Sequence, residues 1–372
     1  MTTQWLLGPS LVMVFVIGLW LVISYLIPRL TRPDVYFAVT VPPEFRDSAE
    51  GGSILKRYRV EVIVVGVLAL LIVLAGIRIA DLKLQAVVTL AGLFLQGVGI
   101  FLAYYRARAR VQPHAVAPAA IREAALVPRM AHLPGGWPAQ VPPFGLLAAT
   151  AIWLHLHWSQ IPEVFPIHWG ADGQPNNWAN RSFSGVYGPL LIGAALCALM
   201  AFMAYALLRW SRPIRVSGAA GEGERRFRLV VVSILVATEY FLALVFTWTS
   251  LLPLSHNQTG PPGVGLVLAF ALAFTVIVVV LLMRLGQGGT RLVGLGRAAS
   301  GAVAPVGDRT ADKYWKLGVF YVNRDDPALF VEKRFGIGYT LNFGHPGTWV
   351  FLAVLVAVFV GITLIVPSHH HP

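Results

Sequence analysis

Glu239 stands near the middle of an apolar run, in the stretch Ser-Ile-Leu-Val-Ala-Thr-Glu-Tyr-Phe. An ionised carboxylate there costs about 2.5 to 3.5 kcal/mol or more in hydrocarbon, so the group must face protein or water. Two chemistries follow. The carboxyl relays a proton or cation, with Gln96 and Thr238 as candidate neighbours, or it stays protonated and ties helices together for about 1 kcal/mol. A second set comprises His155, His157 and His168 with Glu163 or Asp172, since imidazole and carboxylate ligate zinc. Its spacing is unspecific, because His155 and His157, two apart, diverge by about 200° on a helix. His369, His370 and His371 carry no mechanism. The chain has no His-Glu-x-x-His, no Gly-x-x-x-x-Gly-Lys and no Gly-x-Ser-x-Gly segment. Gly294-Leu-Gly296 lacks the strand-turn-helix setting of a dinucleotide site. A non-enzymatic protein without a cofactor is therefore expected. The alternatives are a proton-coupled transporter using Glu239 and, behind it, a metal-dependent membrane enzyme.

The elements that must position these groups follow from composition. Of 372 residues, 56% are hydrophobic and only 12% charged, with a mean hydropathy of +0.68, which does not describe a soluble surface. Cys197 is the single cysteine, which excludes an internal disulfide and any multi-cysteine metal site. A membrane-crossing helix needs about 20 apolar residues, because each backbone amide must be satisfied within it. Eight runs qualify as candidates: Trp5 to Ile27, Val60 to Ile79, Leu82 to Tyr104, Phe144 to Trp158, Tyr187 to Leu208, Leu229 to Leu252, Val264 to Leu285 and Trp349 to Val366. The fourth is short and bracketed by Pro142, Pro143 and Pro162. The fold class expected is an all-α polytopic membrane protein of about eight transmembrane helices, with a small cytosolic aromatic β-hairpin module before the last helix.

Loop charge supports the fourth span. Cytosolic loops retain Lys and Arg, and 26 of the 29 basic residues fall after the first, third, fifth and seventh spans. Removing the fourth span would reverse every later loop. Both termini are then expected outside, and the net charge of +12 is mostly topology rather than a nucleic-acid surface. The first span lacks a basic leader and a cleavage site, and is expected to be retained. Five regions result: 1–143, three helices with cytosolic loops; 144–208, a helix-loop-helix core; 209–285, spans six and seven; 286–348, a cytosolic linker and module; and 349–372, the last helix and tail. Pro113 to Pro143 and Gly286 to Gly307 read as cytosolic linkers.

The most distinctive outward segment is residues 161–178, Ile-Pro-Glu-Val-Phe-Pro-Ile-His-Trp-Gly-Ala-Asp-Gly-Gln-Pro-Asn-Asn-Trp. Pro162 and Pro166 favour an extended entry, Asp172-Gly173 supplies a turn, and Trp169 and Trp178 suit the membrane interface. On Ile161, Pro162, Pro166, His168, Trp169, Gly173, Pro175 and Trp178 this segment resembles the SdpI-type family of bacterial membrane proteins. Gly170 and Asn180-Arg181 depart from the family's usual Asn and Lys. The resemblance implies a bacterial cytoplasmic-membrane protein concerned with immunity to, or sensing of, a secreted peptide toxin, in some cases with signalling. The residues themselves supply an outward aromatic surface of Phe165, Trp169 and Trp178, suited to an amphipathic ligand.

A second resemblance runs from Tyr314 to Pro346 and includes Asn323, Asp326, Pro327, Lys333, Arg334, Gly336, Gly338 and Asn342. It is similar to a short C-terminal domain of unknown function that accompanies the first. Asn323 to Pro327 reads as a turn between two aromatic-rich strands. Gly336 to Gly344 reads as a lead into the last span. Lys333 and Arg334 are expected at lipid headgroups, and the module as structural or as a dock for a cytosolic protein partner.

Overall fold

The computed structural model describes residues 3–79, 81–118, 133–169, 175–212, 218–255, 263–291 and 310–365. Among these, eight long helices dominate: α1 (Thr3–Leu30), α2 (Ala49–Gly76), α3 (Leu82–Val111), α4 (Val141–Leu156), α5 (Phe183–Trp210), α6 (Gly218–Leu251), α7 (Val264–Leu285) and α8 (Pro346–Ile365). The first seven are long and apolar enough to cross a membrane; the described apolar part of α8, Pro346–Gly361, is shorter. Strands are short: β1 (Val35–Tyr36), β2 (Val39–Thr40), β3 (Val164–Trp169), β4 (Pro175–Asn180), β5 (Trp315–Lys316), β6 (Phe320–Tyr321), β7 (Phe330–Glu332) and β8 (Tyr339–Leu341). They form four separate antiparallel hairpins.

Local chemistry sets the helix starts. Ser48, Asp81 and Ser182 each accept hydrogen bonds from the first-turn amides of α2, α3 and α5, satisfying donors that have no partner inside the helix. In α4 the prolines stand where no intrahelical N–H is needed. A 3-10 turn over Trp137–Gln140 precedes it, and the apolar stretch then reaches 20 residues, Trp137–Leu156. The short fourth span is thus completed by residues that sequence reading places in a linker.

Helices α1, α2 and α3 pack around Ile17, Ala69 and Val73. Helices α4, α5 and α6 pack around Leu147, Leu154, Leu190, Cys197 and Ala243. Outward faces are apolar: Leu90, Phe94, Leu244 and Phe270 are each at least 60% exposed. Such surface is stable only against lipid tails.

The chain ends of α1, α3, α5 and α7 and the start of α8 meet at one end of the bundle in a mixed cap. Tyr104 of α3 donates its hydroxyl to the Leu317 carbonyl at 3.0 Å, and Arg32 after α1 is ion-paired with Glu332 of β7. Beyond α5, the Leu329 amide donates to the Trp210 carbonyl at 2.9 Å and the Arg212 amide to the Phe330 carbonyl at 3.1 Å. Residues 210–212 thereby run beside β7 as a parallel neighbour. The described parts of the basic loops meet at this one end.

One expectation about this end holds and two are corrected. The turn Asn323 to Pro327 does link two strands, but β6 pairs with β5 and β7 with β8, not with each other. Gly336 to Gly344 is no simple lead into the membrane, because Gly336 and Gly338, at φ 99° and 104°, turn the chain back into β8. The linker reading fails over 133–140 and 286–291. Leu133 packs with Ala204, Leu207 and Phe330, and Gln287, Gly288 and Gly289 are buried. Gly289, at φ 73°, lies so close to Gly223 that an added Cβ would stand 2.1 Å from its carbonyl oxygen.

Candidate functional site

Within and just beyond the segment 161–178, β3 and β4 pair antiparallel at the end of the bundle opposite the cap, between α4 and α5. Val164 pairs with Asn180, Phe165 with Ala179 and Pro166 with Trp178; register shifts follow at His168 and Trp169. Bulges there fit Pro166, which cannot donate to a ladder. Alternate residues face opposite sides. Phe165 and Ala179 enter the α4–α5–α6 core with Ile161 and Val186, while Val164 and His168 are exposed. Phe165, expected on an outward aromatic surface, is only 2% exposed. Trp169 and Trp178 are half-buried. Gly173 and the Asp172-Gly173 turn lie outside the described residues.

Arg181 fixes the base of the hairpin. Its Nη1 donates to the Ile161 carbonyl at 2.8 Å and lies 3.4 Å from that of Trp158, and its Nη2 is 3.9 Å from Glu163 Oε1. These carbonyls end the 3-10 turn after α4, where unsatisfied acceptors favour a cation. Trp169 Nε1 is buried with no acceptor among the described residues.

The histidines do not converge. His157 Nδ1 is 2.9 Å from the Trp153 carbonyl, His155 Nδ1 is 3.5 Å from the Tyr187 hydroxyl, and His168 lies on β3. No group of three His, Cys, Asp or Glu side chains capable of holding a metal occurs among the described residues.

In the cap, Asn342 is fully buried. Its Nδ2 donates to the carbonyls of Asn323 at 2.8 Å and Asp326 at 3.0 Å, and its Oδ1 accepts from the amides of Asn323 and Gly344. Asn323 Nδ2 donates to the Tyr321 hydroxyl at 3.1 Å. That hydroxyl donates to Asp326 Oδ2 at 3.0 Å, and Arg212 bonds both Tyr321 and Asp326. Burial alone would raise the Asp326 carboxyl. The Arg212 charge and hydrogen bond, with the Ala328 amide and Tyr321, outweigh it and hold the group below the usual carboxylate range. Burial pushes the Tyr321 hydroxyl to about 12, so it acts as a donor. Pro327 is exposed beside this network.

Lys333 is exposed at the edge of the cap. Arg334 is not: it is 2% exposed, donates to Asp312 Oδ1 at 2.5 Å and Thr40 Oγ1 at 3.2 Å, and also bonds the Thr310 carbonyl. A lipid-headgroup role is therefore corrected for Arg334. With Arg108, whose Nη1 donates to the Ala38 carbonyl at 2.6 Å, it secures a turn at Phe37-Ala38. Both turn residues hold positive φ, 43° and 61°, without the glycine or asparagine that usually accepts it.

Gln96 and Glu239 are both buried but lie in different helix groups. Gln96 Nε2 donates to the Ile17 carbonyl of α1 at 3.0 Å, and Thr238 returns its hydroxyl to Ile234. Neither is hydrogen-bonded to the Glu239 carboxyl, whose two oxygens have no partner among the described residues.

A domain of unknown function, DUF1648, matches residues 145–194, which spans most of α4, the hairpin and the first part of α5. A family of unknown function, DUF5808, matches residues 324–349, from the Asn323 turn into α8. No curated protein and no solved structure matches the chain.

Proposed function

We propose that this is a non-enzymatic protein of the bacterial cytoplasmic membrane, with the β3–β4 hairpin outside, the cap in the cytosol and both termini outside. The hairpin meets an extracellular amphipathic peptide, in the manner of SdpI-type immunity or sensing proteins. The observation that carries this reading is the hairpin itself: one face is locked into the α4–α5–α6 core and its base is clamped by Arg181, while Val164 and His168 are exposed on the other. A preformed, rigid strand pair binds an extended ligand at low ordering cost, and His168 on β3 is exposed to meet it. The charge census supports the orientation. The bond from Cys197 Sγ to the Glu239 carbonyl, 3.4 Å, joins α5 to α6 within the core that the hairpin covers, so a ligand at the hairpin can bias helix packing that extends to the cap.

A deletion strain challenged with secreted toxic peptides tests this reading. Wild-type protein should restore tolerance, and His168→Ala with Trp169→Ala should not, at equal membrane abundance. Unchanged sensitivity on deletion, or full rescue by the double variant, contradicts it.

A further inference from the structure

The β5–β6 hairpin turns through Leu317 and Gly318, with the Val319 amide donating to the Lys316 carbonyl at 3.2 Å. Both central residues hold positive φ, 52° and 74°, a geometry that usually takes Asn-Gly. Glycine is required at the second position, since an added Cβ would stand 2.3 Å from the Tyr104 hydroxyl oxygen and 2.7 Å from Ala38 Cβ. Leucine at the first is strained, because a Cβ is crowded by the backbone in the left-handed region. It is also 49% exposed. In water both features are unfavourable; against lipid the second reverses sign.

The depth of the tip supplies that lipid. The Leu317 carbonyl accepts from the Tyr104 hydroxyl at 3.0 Å, and Gly318 lies against the side chains of Tyr104 and Arg108, one turn apart on α3. Here the apolar run Leu82 to Tyr104 gives way to Arg106, Arg108 and Arg110, so the tip stands at the boundary between hydrocarbon and headgroups.

The exposed face of the hairpin leads to the same level by a second route. Lys316 and Phe320 are paired in register and exposed, while Trp315 and Tyr321 on the other face are buried. Phe320, 44% exposed, packs edge-on against Phe343 with ring centres 5.6 Å apart, and Phe343 packs edge-on against Trp349 at 6.1 Å. Trp349 belongs to the first turn of α8, where that apolar helix begins, and is itself exposed. This aromatic face is therefore continuous with the lipid-facing surface of α8. Lys316 is compatible with the position, because its stem can lie along apolar surface while its ammonium reaches the headgroups.

We propose that the β5–β6 hairpin is a membrane anchor: Leu317 and Phe320 insert among the lipid chains just below the headgroups of the leaflet on the cap's side. The occupant of this face is bilayer lipid. The anchor holds the cap against the membrane surface at a point separate from the helix ends. It does not depend on which side of the membrane the cap occupies, nor on what the β3–β4 hairpin binds.

The test uses the full-length protein with Cys197→Ala, in vesicles of phosphatidylethanolamine and phosphatidylglycerol, spin-labelled through Leu317→Cys or Phe320→Cys. Power saturation compares collisions with oxygen, which concentrates in lipid, and with a nickel chelate, which stays in water. Both labels should collide more with oxygen than with nickel. A label at Glu222→Cys, on the exposed start of α6, should show the reverse. Labels at both hairpin positions that meet nickel as freely as the Glu222→Cys label would place the hairpin in water and overturn the proposal. Labels shielded from both reagents would show that protein covers this face, and would overturn it equally. Where one labelled variant fails to fold, the other position decides.

Discussion

The Gln287 side-chain amide donates to the Gly338 carbonyl at 2.9 Å and accepts from the Gly338 amide at 2.8 Å. It pairs with this backbone as a neighbouring strand would, and it ties the end of α7 to the β7–β8 turn. Gln287→Ala should destabilise the cap by about 1 to 3 kcal/mol, the cost of leaving buried backbone groups unpaired. Gln287→Glu, which retains only the acceptor, should fall between the two. Thermal melts in detergent measure this, and melts indistinguishable from wild type would refute it.

Arg334 spends its guanidinium on Asp312, Thr40 and the carbonyls of Thr310 and Ala38 at once. Removing it leaves Asp312 held only by the Thr40 hydroxyl and amide and strips the Thr310 carbonyl of the Arg334 donor, a loss of about 1 to 3 kcal/mol. Arg334→Lys should rescue little, since an ammonium cannot reproduce the planar fork. A lysine variant as stable as wild type would show that charge alone suffices.

Asp326 sets an acid limit for the cap. Its folded carboxyl is held below the unfolded value, so its contribution is present above about pH 4 and is lost as pH falls through the lower folded value. Asp326→Asn should be less stable than wild type near neutrality and should show a smaller loss of stability on acidification. Unfolding curves followed across that range check the sign; parallel curves for the two proteins would contradict it.

The spans and the β3–β4 hairpin were legible because each rests on a local signal. Hydropathy marks α5 and α7 directly, and Pro162, Pro166 and the following polar turn mark an extended loop. Alternating loop charge recovered the short α4, which the chain completes with the 3-10 turn at Trp137. The cap was harder to read, since its strands are two or three residues long and carry no usable periodicity. Its bonds also join residues far apart in sequence, as Arg32 with Glu332. Arg334 and Lys333 are adjacent and look alike in sequence; only the packing of Asp312 and the Phe37-Ala38 turn distinguishes their fates. That turn carries no glycine to announce it. Gln96, inside an unbroken apolar run, was noticed but bonds to α1.

The central claim is that the hairpin bearing His168 and the cap bearing Asp325 face opposite sides of the membrane, with the hairpin outside. It is tested most directly by single-cysteine accessibility in a Cys197→Ala background, with His168→Cys and Asp325→Cys reacted with a membrane-impermeant maleimide in intact cells. His168→Cys should be labelled in intact cells and Asp325→Cys only after lysis. Labelling of Asp325→Cys in intact cells, with His168→Cys protected until lysis, would contradict it.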